Sequence, residues 1–197
     1  MKIVLLAEGD TEKALAEHLK RFLDQRAEAA GKPKIALRTK PITLNRGDLR
    51  GRIRLELCEP QVIAVVGLVD VYPRFTSAEH AKQFLREASA NDPRFHAHAA
   101  LHDVEAWLLP FWRSICDKIG VRHAPPGAHP EKVDFNQPPS RRLQELYNRA
   151  RPPQKYIKPI EMNALLRGKD LTIAAEQCPE FKALLNTLLT LSELSPL

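Results

Sequence analysis

The sequence predicts an α/β fold: a mostly parallel sheet of about four strands flanked by helices, with a proline-rich basic insertion and a small C-terminal helical region. Three observations predict it. Short apolar, β-branched runs at 3–7 and 61–70 read as buried strands. Helical spacing follows each of them, so strands and helices alternate up to about Gly120. Residues 121–160 then hold eight of the sixteen prolines, which argues against a packed helix or strand spanning that stretch. The expected organisation is one α/β unit over 1–120 and an insertion with a helical subdomain packed on it over 121–197.

The first strand, Ile3-Val4-Leu5-Leu6-Ala7, ends in Glu8-Gly9. Asp10 or Thr11 can cap the helix that follows, whose apolar positions Ala14, Leu15, Leu19, Phe22 and Leu23 recur at helical spacing until Gly31 stops it. Residues 34–42 read as a second strand. Residues 46–54 read as a Gly- and Arg-containing loop that starts a short helix through Leu57. The run Val62-Ile63-Ala64-Val65-Val66-Gly67-Leu68-Val69 is the strongest buried-strand signal, and Tyr72-Pro73 breaks it. A helix over 78–88 and a turn at Asn91-Asp92-Pro93 lead to a fourth strand over 95–101. There Phe95, Ala97, Ala99 and Leu101 face one way, and His96, His98 and Ala100 the other. Helical spacing resumes over 103–118, with Pro110 expected to kink or split it. One helix is expected over 140–149 inside the insertion, and short helices over 162–167, 171–177 and 179–191, the last opened by Pro179.

Composition narrows the class. With 44% hydrophobic and 27% charged residues the chain is globular in character. No apolar run approaches the roughly 20 residues that cross a bilayer, so a soluble, cytoplasmic protein without a membrane partner is expected. Cys58, Cys116 and Cys178 are odd in number and far apart, which favours buried apolar thiols over a disulfide framework or a zinc-thiolate site. The formal net charge of +6 is uneven. Residues 32–54 carry eight Lys or Arg against Asp48 alone, and residues 138–169 carry eight against Glu145 and Glu161, so the remainder is acidic. Two basic blocks on an acidic body point to a polyanionic partner, nucleic acid first, with an ordinary solvated surface as the plain alternative.

In an open parallel sheet, ligands collect beyond the carboxyl ends of the strands. The first strand ends in Glu8, with Glu12 one helical turn on; the third ends in Asp70; the fourth ends in His102-Asp103-Val104-Glu105. Carboxylates brought together repel and raise one another's pKa unless a cation neutralises them. A hard divalent ion such as Mg2+ or Mn2+ suits them, since Mg2+ binds through one or two carboxylates plus substrate phosphate. Such an ion polarises a phosphodiester and activates a bound water. The plain alternative for Glu12, and equally for Asp103 and Glu105, is a favourable acid in a helix's first turn.

These residues carry a resemblance. Leu6-Ala7-Glu8-Gly9-Asp10-Thr11-Glu12 followed by Leu68-Val69-Asp70-Val71-Tyr72 is similar to the Toprim arrangement of topoisomerases, primases and overcoming-lysogenization-defect nucleases. Glu8-Gly9-x-Thr11-Glu12, Leu68-Val69-Asp70-x-Tyr72, Pro93-Arg94-Phe95 and His102-x-x-Glu105-Ala106 more closely resemble the family called domain of unknown function 4276. Pro139-Ser140-x-Arg142, Tyr156-x-Lys158 and Cys178-Pro179-x-Phe181 extend the match over nearly the whole chain. The resemblance implies a Toprim-like fold, a metal-dependent nuclease and an ATPase partner in anti-phage defence. The sequence departs from nuclease Toprim domains at Tyr72, where a second aspartate is usual, and at Asp103, where glutamate is more frequent.

On this reading Glu8 and Asp70 are metal ligands, Glu12 is a second ligand or holds metal-bound water, and Glu105 is an extra ligand or orients His102. His102 orients a ligand, donates to the scissile phosphate or acts as general acid, its ordinary pKa near 6.5 suiting proton transfer. Arg46, Arg50, Arg52, Arg142 and Lys158 are the candidate phosphate contacts. His96 and His98 read as polar strand residues ahead of a transition-metal site. Trp107, Phe111 and Trp112 read as core or interface residues ahead of base-stacking platforms. The rival class is a non-catalytic module that binds nucleic acid or an ATPase around a vestigial acidic site. The chain has no P-loop and no dinucleotide-binding glycine pattern, which argues against an ATPase or dehydrogenase.

Overall fold

The computed structural model describes residues 1–127, 129–132 and 137–197. Part of the proline-rich insertion, residues 128 and 133–136, lies outside the described residues. Four strands, β1 (Lys2–Ala7), β2 (Ala36–Pro41), β3 (Val62–Asp70) and β4 (Phe95–Ala100), form one sheet in the order β2-β1-β3-β4. All three pairings are parallel, so the mostly parallel sheet expected is parallel throughout.

Alternation along the strands separates two cores. Ile3, Leu5, Val66 and Leu68 point to the face covered by α1 (Asp10–Ala29), and Val4, Leu6, Val65 and Val69 to the face covered by α2 (Arg46–Leu57) and α3 (Ala78–Ala88). Both faces of β1 and β3 are therefore buried, which is why those strands read as continuous apolar runs. Gly67 leaves room for the Phe95 ring of β4 and for Leu85 of α3: a Cβ there would stand 2.7 Å from Phe95 Cζ and 3.3 Å from Leu85 Cδ1.

Pro110 splits the helical stretch after β4 into a 3-10 helix (Val104–Phe111) and α4 (Trp112–Ile119), which Gly120 ends in the left-handed region at φ 69°. A short 3-10 turn (Pro130–Lys132) precedes α5 (Pro139–Asn148), α6 (Lys158–Leu166), α7 (Thr172–Gln177) and α8 (Pro179–Leu191). These elements join the α1 side of the sheet in one apolar core that runs from Ile3 to Leu194. Trp107 stacks on Phe181 of α8, ring centroids 4.6 Å apart, and Phe111 and Trp112 are buried as well, which gives all three aromatics core roles. His98, on the α8-facing side of β4, bonds Thr187 Oγ1 at 3.0 Å. Glu131 is buried and closes the start of α8, accepting from the main-chain N–H groups of Glu180 and Phe181 and from Trp107 Nε1.

One expectation is corrected. Cys116 and Cys178 are buried thiols, but Cys58 is exposed, because it caps α2 at the end of an otherwise basic, solvated helix face. Among the described residues, no helix is long and apolar enough to cross a membrane.

Candidate active-site cleft

The sheet order puts β1 and β3 side by side, while the helices that follow them, α1 and α3, cover opposite faces. This is the topological switch point of an open parallel sheet, where a crevice opens beyond the strand ends. The register pairs Ala7 with Leu68, which brings Glu8 beside the last residues of β3. The Asp70 main-chain N–H accordingly favours the Glu8 carboxylate. A cleft of about 360 Å3 opens here, lined by Glu8, Glu12, Asp70 and Glu105 together with Tyr72, Arg74 and Lys158.

Local structure fixes each acid. Glu12 lies in the first turn of α1 and folds back over Gly9, where an added Cβ would stand 2.9 Å from its Oε2. Its carboxylate is thus both a first-turn acid and a cleft wall, and the two readings of Glu12 describe one conformation. Asp70 Oδ1 accepts the Val104 main-chain N–H at 3.1 Å, which ties the end of β3 to the start of the 3-10 helix. Asp103 Oδ2 accepts the Ser140 N–H at 3.2 Å and so holds the start of α5 against the site. Glu105 is fully buried, and Lys158 Nζ stands 3.2 Å from its Oε1. Arg74 Nη1 donates to Glu8 Oε1 at 2.7 Å.

Burial and mutual repulsion set the electrostatics. Asp70 is pushed well above the usual carboxylate range by burial and then by the charges of Glu12, Asp103 and Glu105. Burial and Asp103 raise Glu105 to about 7, against the pull of Lys158. Glu8, Glu12 and Asp103 are also raised, each chiefly by burial. Burial works to lower Lys158, but Glu105, Asp103 and Asp70 prevail and raise it.

Several polar atoms at the inner end are left over. Asp103 Oδ1, Glu105 Oε2 and the Tyr156 hydroxyl are buried and make no hydrogen bond, a costly state for acceptors of this kind. Among the described residues, no three His, Cys, Asp or Glu side chains form a ready-made cage. A donor set of one or two carboxylates completed by waters and phosphate oxygens is the Mg2+ pattern, so the residues present fit such an ion better than a structural zinc.

The structure thus gathers Glu8, Glu12, Asp70, Glu105 and Lys158 in one cleft. His102 is buried directly behind it, held at φ 69° after β4 with its carbonyl accepting the Tyr72 N–H at 2.8 Å; its ring is not among the cleft-lining groups. The four arginines lie elsewhere. Arg46 pairs with Glu87 at 2.9 Å, Arg52 with Glu56 at 3.4 Å, and Arg142 donates to the Gln137 carbonyl at 3.3 Å. Arg50 lies on α2, in a groove that shares no residue with the cleft.

Arg74 escaped sequence reasoning. A signal existed for it: it follows Asp70-Val71-Tyr72-Pro73, in the turn that leaves the switch-point strand. Tyr156 is marked in the sequence only as part of the Tyr156-x-Lys158 motif, with no role of its own.

Against known proteins, the chain matches the family described as Domain of unknown function (DUF4276) over residues 7–189. No curated protein and no solved structure matches it.

Proposed function

The chain belongs to the DUF4276 family, and from that premise and the cleft we propose that it is a Mg2+- or Mn2+-dependent phosphodiesterase acting on nucleic acid. One observation carries the reading: acids from three strand ends, Glu8, Asp70 and Glu105, converge on a single cleft in which the buried Glu105 Oε2 lacks a partner. A bound divalent ion would neutralise them, polarise the phosphodiester and supply an activated water.

The chain's own groups have distinct tasks. Glu8 and Asp70 hold the ion from the two sides of the switch point, with Glu12 and Glu105 as further ligands or as acceptors for its waters. Lys158 is placed to steady a phosphate oxygen. Arg74, with an exposed side chain now engaged with Glu8, takes a second phosphate oxygen once a cation satisfies Glu8. His102, beneath Tyr72, positions the turn that carries Tyr72, Pro73 and Arg74. The Toprim kinship, supported by the order of the acidic motifs, belongs to the same proposal, and with it a cytoplasmic location and an ATPase partner in anti-phage defence.

A specific observation favours the rival, non-catalytic reading: Lys158 and Arg74 already pair with Glu105 and Glu8, so part of the acidic charge is balanced within the chain. Cleavage decides between them. Supercoiled plasmid, single-stranded DNA and RNA are incubated with the protein and Mg2+ or Mn2+, alongside Glu8→Gln and Asp70→Asn. The proposal requires metal-dependent cleavage of one polymer by the parent and its loss in both variants. Equal cleavage by parent and variants removes Glu8 and Asp70 from the site, and none on any polymer with or without an ATPase partner favours the binding module.

A further inference from the structure

At the other end of the sheet from the cleft, a second groove of about 260 Å3 lies between the ends of α2 and α3 and the residues that lead into β4. Its walls carry Arg50, Arg54 and Arg94, with Asp92 as the one acid among the lining residues. Asp92 is already committed: it accepts the Arg94 main-chain N–H at 2.9 Å and faces the Arg94 guanidinium at 3.4 Å. Arg94 is fixed by a further bond, Nη1 to the Leu57 carbonyl at 3.1 Å, at the end of α2.

Arg50 and Arg54 differ from their neighbours. Every other arginine of α2 has an acid, Arg46 with Glu87 and Arg52 with Glu56. Arg50 and Arg54 are exposed and make no hydrogen bond or ion pair among the described residues. They stand one helical turn apart on one face of α2, and Arg46 extends the same row by another turn toward the cleft end of the helix. The row spans about 12 Å at 1.5 Å per residue. Two unpaired guanidinium forks beside a third that is held in place make a site for consecutive phosphates, because the planar fork matches phosphate oxygens.

We infer that the Arg50–Arg54–Arg94 groove is a second nucleic-acid site, one that grips the phosphate backbone without reading sequence and is separate from the cleft. It stands on its own geometry, so its failure leaves the cleft reading untouched. It also gives part of the basic block over 32–54 a location: its two unpaired arginines on α2 face one groove.

The chain supplies its own reporter, since Cys58 lines this groove and is the exposed cysteine of the three. Binding of a fluorescent oligonucleotide is measured by anisotropy in EDTA, so that no metal-dependent cleavage intervenes, across a salt series. Arg50→Ala/Arg54→Ala, which places good helix formers on an exposed face, is compared with Arg122→Ala, an exposed arginine outside the groove. The double variant is expected to bind at least tenfold more weakly at low salt, with a log–log salt slope smaller by roughly 1 to 2, while Arg122→Ala follows the parent. In the parent, unlabelled oligonucleotide is expected to slow maleimide alkylation of Cys58. Unchanged affinity and slope in the double variant overturns the inference. So does alkylation of Cys58 that an oligonucleotide leaves untouched, or that an acidic peptide slows while the oligonucleotide does not; the last result would assign the groove to a protein partner.

Discussion

Lys158 Nζ stands 3.2 Å from Glu105 Oε1, joining the first residue of α6 to a carboxylate fully buried behind the sheet rim. A lysine at a helix N-terminus opposes the helix dipole, an arrangement that costs about 0.3–1 kcal/mol. Its retention there is explained by the acid it faces. Lys158→Ala removes the charge that holds Glu105 down, so its ionisation is opposed more strongly, and the loss at pH 8 should be about 1–2 kcal/mol after allowing for the solvent that reaches half of the lysine. At pH 5 Glu105 is neutral with or without the lysine, and the loss should be smaller. Chemical denaturation at the two pH values checks this.

The metal-free protein should lose stability as pH rises from about 5 to 8. Glu105 is raised from its ordinary value to about 7 by burial and by Asp103, so the folded state holds a proton that the unfolded state has released. Its contribution is fully present below about 4.5 and is lost as pH passes 7, up to about 3 kcal/mol. Asp70 adds to the trend in the same direction. Asp70→Asn keeps an oxygen for the Val104 N–H and removes an acid whose ionisation burial and its neighbours oppose, so its melting temperature at pH 8 should exceed the parent's. A parent curve that is flat or rising across this window contradicts the electrostatics of the cleft.

Gly9→Ala separates the site from the fold. The added methyl meets Glu12 Oε2 at 2.9 Å, and the φ of −131° at Gly9 suits any residue. The carboxylate must therefore swing away while the backbone stays as it is. Melting within about 1 kcal/mol of the parent's is expected, together with at least tenfold weaker Mn2+ binding. Unaltered Mn2+ affinity would remove Glu12 from the ligand set.

Thr187→Val tests how α8 is fastened to β4. His98 is buried and held neutral, its pKa lowered by burial to about 3, and its Nε2 bonds Thr187. Losing the hydroxyl leaves a buried ring nitrogen unsatisfied at a cost of about 1–3 kcal/mol, read from urea midpoints at pH 7.5. Because the His98 pKa is depressed, its contribution is intact above about 6.5 and declines as pH falls below that value.

Much of the sheet is legible in the sequence because its physics is local. The β-branched runs of β1 and β3 announce strands buried on both faces, and the alternation along β4 puts His98 on the side where α8 lies. Pro110 marks the break between the 3-10 helix and α4. The strand-end acids are legible because a parallel sheet sends its strand ends to one rim. Pairings made at a distance are not. Nothing near Arg46 in sequence says that Glu87 will quench it, whereas the Arg52–Glu56 pair, four residues apart on α2, is local and legible. Lys158 carried no mark that it would face Glu105, and Tyr156 enters the site only through the path the chain takes between α5 and α6.

The most direct measurement is calorimetric titration of the purified chain with Mn2+ at pH 8, repeated with Asp70→Asn. The account predicts saturable binding by the parent and none by the variant. Heat no larger than dilution in the parent, or the same isotherm in both proteins, would contradict it.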